Sequence, residues 1–132
     1  MIRKVKGKIK LFTATLLCAL SVTTLGASKG VHAETKENYD IYCSATAYCG
    51  GGTTASGLEC VRKPDGISTV AVDPNVIPLG TFMYIEGYGY AVAADTGGAI
   101  KGNKIDIYYD YEHECNNWGV QNVKVTILGS TS

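Results

Sequence analysis

The chain has 132 residues, and its twelve Lys and Arg balance twelve Asp and Glu. Six of the bases and none of the acids fall in residues 1–33, so residues 34–132 carry six positive and twelve negative charges, a net −6. That excess argues against nucleic acid or an anionic membrane surface as partner, since both need a basic patch, and suits contact with neutral or partly cationic polymers outside the cell.

In chain order, "MIRKVKGKIK" supplies a basic start, "LFTATLLCALSVTTLGA" a charge-free run of 17, and "SKGVHA" a small-residue cleavage site with Val31 and Ala33 at −3 and −1. This is the order of a secretory signal peptide over residues 1–33. A retained membrane anchor is the competing reading, but the run is short and rich in Thr and Ser. Lipidation at Cys18 is disfavoured by the bulky Leu17 before it. Export leaves four cysteines, Cys43, Cys49, Cys60 and Cys115. An even number in a short secreted chain reads as disulfides, with three possible pairings that spacing cannot separate. Zinc held with His113 is the alternative, but metal-ligand spacing is missing, so no metal or other cofactor is expected.

Residues 34–44 read as a short polar leader, and the domain is placed at 45–132. From there β-patterning dominates. "ATAYC" (45–49), "STVAVD" (68–73), "TFMYIEG" (81–87), "YAVAAD" (90–95), "KIDIYY" (104–109) and "VKVTIL" (123–128) are short, β-branched or aromatic, and bounded by turn residues. One helix is predicted from Tyr111 to Trp118, with Asp110 capping its start and Gly119 its end. Six strands and one helix in a single small domain predict a mainly β, compact barrel, monomeric in solution.

Three acids stand apart from the solvated ones. Asp73, Asp95 and Asp106 close or interrupt apolar strands, in "VAVD", "VAAD" and "IDI". An acid inside a period-2 apolar pattern faces a cleft or a buried partner. For each one alone, a turn-capping carboxylate is the plainer reading, most of all for Asp73 before Pro74. The "DTGG" at Asp95 also matches the Asp-Thr-Gly of a dimeric aspartic protease. The chain does not fit that class: Asp95 comes too late, and "TILG" lies too close to the C-terminus for the dimer-building elements to follow.

The contexts "AVDPNVIPLG", "AADTGGAIKGNKIDIYY" and "WGVQNVKVTIL", with "ATAYCGGGTTASG" upstream, resemble the 3D domain of secreted Gram-positive cell-wall proteins. That domain is named for its three aspartates and is related to the C-terminal part of the membrane-bound lytic transglycosylase A family. The resemblance runs from about Ala45 to Leu128. It implies a double-psi β-barrel with a groove, binding of peptidoglycan glycan strands, and a location at the cell wall. For enzymatic members it implies cleavage between N-acetylmuramic acid and N-acetylglucosamine with a 1,6-anhydro product. By position in the motif, Asp106 is the implied general acid/base, and Asp95 and Asp73 the supporting carboxylates.

The chemistry is compatible with one such group. A hydrolytic glycosidase needs two carboxylates, whereas in a lytic transglycosylase the sugar's own C6 hydroxyl attacks C1. One carboxyl must be protonated at working pH, which requires burial and a neighbouring negative charge, the latter expected here from Asp95. Gly97 and Gly98 are expected to let backbone amides approach a sugar. Thr54, Ser56 and Lys101 are candidate polar contacts, and Tyr48 and Tyr108, with Tyr109, candidate stacking faces. The rival class is a non-catalytic, expansin-like wall-binding module, since fold does not fix function.

Overall fold

The computed structural model describes residues 37–130. The predicted export segment lies outside the described residues. The strands are β1 (Tyr39–Tyr48), β2 (Ser68–Val72), β3 (Thr81–Ile85), β4 (Gly89–Asp95), β5 (Lys104–Tyr108) and β6 (Gln121–Ser130), with a helix α1 (Glu112–Trp118) between β5 and β6. They close into a barrel in the order β1-β5-β2-β4-β3-β6. Two pairs, β1 with β5 and β2 with β4, are parallel, and the other four are antiparallel. This is the six-stranded β-barrel expected from the resemblance.

Alternation builds the core. Cys43 and Ala45 of β1, Met83 and Ile85 of β3, Ile105 and Ile107 of β5, and Val123, Val125 and Ile127 of β6 point inward and are buried. Strand β2 is buried along its whole length, as are Ala91–Ala94 of β4. Continuous apolar runs suit strands covered on both faces. The cover is the segment after β1: the Ser56 amide donates to the Ala94 carbonyl (2.9 Å), and Thr69 exchanges backbone and hydroxyl bonds with Val61.

Two sequence expectations need correction. The first strand starts at Tyr39, not Ala45, so residues 39–44 belong to the barrel rather than to a leader; Tyr39 pairs with Ile127 and Cys43 with Val123. The inward Ile41, Cys43 and Ala45 continue the period-2 pattern. Helix α1 also lacks the expected Asp110 cap: Tyr111 holds the N-cap position, without a side-chain bond. The expected stop holds, with Gly119 at φ 65° and its amide on the Cys115 carbonyl (3.0 Å). Trp118 fastens α1 to β1 by an indole N–H bond to the Ala45 carbonyl (3.1 Å).

Candidate functional site

Asp106 lies between the inward Ile105 and Ile107, so its side chain is on the outer face of the barrel, half-buried. Its backbone partners are Thr46 on β1 and Ala71 on β2. The Thr46 hydroxyl donates to Asp106 Oδ1 at 2.9 Å. Burial pushes the Asp106 carboxyl above the ordinary aspartate range. The Thr46 bond and the Lys104 charge oppose this, and the negative charge of Asp95 adds a smaller upward push. Lys104 precedes Asp106 by two residues and therefore shares its face.

A bulge brings Asp95 into the same row. Val70 pairs with Ala93, but the next residue, Ala71, pairs with Asp95. Ala71 thus stands between Asp106 on one neighbour and Asp95 on the other. Two strand spacings place the two backbones roughly 10 Å apart. That separation explains why burial outranks Asp95 as the cause of the Asp106 shift. The sequence reading named burial and Asp95 together; desolvation has the larger part and Asp95 the smaller.

Asp95 is itself engaged. Its Oδ1 accepts the amides of Ala55 and Thr96, both at 2.9 Å, and its Oδ2 accepts the Tyr48 hydroxyl at 3.3 Å. It therefore ties the "TTASG" loop to the end of β4. Asp73 is engaged elsewhere. Its carboxylate accepts the Asn75 amide (3.0 Å) and the Gly102 amide (2.8 Å), which hold it below the usual aspartate range. This is the turn-capping role that "DPN" suggested, extended to a clamp on the β4–β5 loop.

The other expected contacts divide. Ser56 is exposed, but Thr54 is buried; its hydroxyl accepts the Leu58 amide (3.2 Å) and pairs with the Ser56 hydroxyl (3.0 Å), so it serves the loop. Gly98 is open, whereas a Cβ at Gly97 would come within 3.1 Å of the Ile100 side chain, so Gly97 is closely packed. Lys101 is exposed, and its charge acts on Asp73. Tyr108 is buried, at 4 % exposure, beneath a T-shaped contact with Tyr48 (5.4 Å between ring centres), and offers no face to a sugar. Tyr48 is half-buried, and burial raises its hydroxyl pKa, which keeps it a donor to Asp95. Tyr109 packs with Tyr88 and Trp118 beneath the Arg62 guanidinium. The structure joins none of Cys43, Cys49, Cys60 and Cys115 in a disulfide, and Cys43 lies in the core. The residue sequence reasoning missed is Thr46. Nothing local in "ATAY" tells that it faces Asp106 from 60 residues away.

None of three surface cavities, of about 380, 490 and 420 Å³, is lined by Asp95 or Asp106. The carboxylates of Asp95 and Asp106 lie on the barrel's flank, both half-buried, with the proton affinity of Asp106 raised by desolvation. Residues 68–129 match the 3D domain, and the chain carries a domain of that family.

Among relatives, it is 51 % identical over 94 residues to the cell wall-binding protein YocH of Bacillus subtilis (strain 168), covering 67 % of this chain and 32 % of YocH. It is 45 % identical over 115 residues to the putative cell wall shaping protein YabE of the same organism, covering 82 % of this chain and 28 % of YabE. The chain thus spans about a third of the length of these curated relatives. Among solved structures it is similar to MltA from E. coli, with a TM-score of 0.48 and 28 % identity over 61 % of this chain and 28 % of that one.

Proposed function

We propose that this chain is a secreted protein of the cell wall that cleaves peptidoglycan glycan strands in the manner of a lytic transglycosylase. The observation that carries the proposal is the Asp106 carboxyl, half-buried, oriented by the Thr46 hydroxyl, and raised in pKa by desolvation. A carboxyl held protonated is what departure of a glycosidic oxygen needs. In this reading Asp106 gives its proton to the oxygen linking N-acetylmuramic acid to N-acetylglucosamine. It then takes the proton of the C6 hydroxyl as that oxygen closes on C1, leaving a 1,6-anhydro end. Proton count is conserved, and no water needs to be positioned.

Thr46 fixes one carboxyl oxygen, Lys104 balances the charge once the proton has left, and Asp95 holds the loop that borders the site. An exposed flank accommodates a polymer, and the net negative charge of residues 34–132 leaves partly cationic wall polymers accessible. Purified peptidoglycan incubated with the protein should release fragments with 1,6-anhydro ends by mass spectrometry. Reducing ends would indicate hydrolysis instead. The competing reading is a non-catalytic wall-binding module. The name of the relative YocH favours it, as does the engagement of Asp95 and Asp73 in structural bonds. Retained pull-down with no released product would support that reading.

A further inference from the structure

We infer that Cys49 and Cys115 are the sites of an intramolecular disulfide, which ties the glycine-rich loop after β1 to helix α1 beside Asp106, while Cys43 and Cys60 stay reduced. Four facts carry this. Cys49 is the first residue beyond β1, and α1 is docked on that same strand by the Trp118–Ala45 bond. Cys115 lies three residues before Trp118, so both share the helix face turned to β1. Cys49 adds to the upward push on the Cys115 thiol, second only to burial, as a near neighbour does. After Cys49 the chain reverses through Gly50, Gly51 and Gly52, with φ of 122°, 71° and 102°, conformations glycine adopts without strain. The loop therefore has the backbone freedom for small adjustments that bonding requires.

The remaining cysteines are placed differently. Cys43 is 2 % exposed in the barrel core, and burial raises its thiol pKa to about 11. Cys60 has its sulfur 3.7 Å from the Tyr48 hydroxyl, and its amide is bonded to the Gly52 carbonyl (2.8 Å). Cys49 is exposed, whereas Cys115 is half-buried, with a thiol raised to about 11 by burial and then by Cys49. Cys49 is thus the thiol that meets an oxidant first. Its thiolate attacks a disulfide such as oxidised glutathione, forming a mixed disulfide and releasing one reduced thiol. The Cys115 thiolate then displaces the second. Two protons and two electrons leave the protein, and one oxidant disulfide becomes two thiols. This crosslink does not depend on the protein cleaving glycan.

The test is chymotryptic mapping of protein folded in a glutathione redox buffer. Trypsin is unsuitable, because Cys43, Cys49 and Cys60 fall in one tryptic peptide, 37–62. Chymotrypsin cuts after Tyr42, Tyr48, Leu58, Tyr111 and Trp118 and separates all four cysteines. A crosslinked pair of peptides 49–58 and 112–118, lighter by two hydrogen atoms than their sum, is expected. It should persist in C43S and C60S and vanish in C49S and C115S. The oxidised protein should melt on the order of 10 °C or more above the reduced protein, a difference that C49S removes. A dominant bond from Cys49 to Cys60, or the recovery of Cys49 and Cys115 as thiols in folded protein under those conditions, would overturn the assignment.

Discussion

Thr46→Val isolates the bond that opposes the burial of Asp106. Valine keeps the shape and β-branching that suit a strand, but it removes the hydroxyl that donates to Asp106 Oδ1 at 2.9 Å. A hydrogen bond to a charged group contributes about 1.5–3 kcal/mol. The low end applies here, because Asp106 is half-buried and the same hydroxyl also reaches the Ile105 carbonyl at 3.4 Å. About 1.5 kcal/mol is roughly a tenfold change in the protonation equilibrium. The sign is fixed: the bond stabilises the carboxylate, so its loss favours the protonated acid and raises the Asp106 pKa further. Carbon-detected NMR titration of the aspartate carboxyls should show the Asp106 transition moved to higher pH by about that factor. In a wall-cleavage assay the loss of activity with rising pH should move the same way. An unmoved or lowered transition would refute the account of what sets the proton affinity of Asp106.

Other expectations follow from the same geometry. Asp95→Ala frees the Ala55 and Thr96 amides, so hydrogen exchange at Ala55 and Thr96 should accelerate; Asp95→Asn, which keeps one acceptor, should accelerate it less. Asp73 has its pKa lowered by the Gly102 and Asn75 amides, so its stabilising contribution is present above the ordinary aspartate pKa and lost as pH falls through the folded value. Asp73→Ala should therefore lower Tm at neutral pH and flatten the acid limb of a thermal-melt series. Trp118→Ala empties a site that is 9 % exposed and breaks the bond to Ala45, and urea titration should show a loss of about 3–5 kcal/mol.

Much of the barrel was legible because its strands carry local signals. "STVAV", "TFMYI", "YAVAA" and "KIDIY" declare themselves by β-branched residues, alternation or flanking turns, and Gly119 marks the end of α1. The start of β1 was hidden because "ENYD" reads as polar. What makes Tyr39 a strand residue is its partner Ile127, 88 positions away. The same holds at the site. Asp106 could be singled out between two isoleucines, and its outward direction followed from period 2. Thr46 could not be found, because a parallel pairing of β1 with β5 leaves no mark in either segment. The distance between Asp95 and Asp106 was equally invisible. It depends on Ala71 intervening and on the bulge between β2 and β4, so the sequence suggested mutual repulsion where desolvation dominates. Asp73 was ambiguous in the right way, since "DPN" favours a turn cap whether or not a glycan lies near.

The central claim is that one half-buried carboxyl does the proton chemistry. Its most direct test is Asp106→Asn assayed on purified peptidoglycan beside the parent protein. Because burial raises the Asp106 pKa, the parent is least favoured at pH above that value, and the neutral variant should melt no lower than the parent at neutral pH. The account predicts a folded variant that releases no 1,6-anhydro fragments under conditions where the parent does. Release at the parental rate by the folded variant would contradict it.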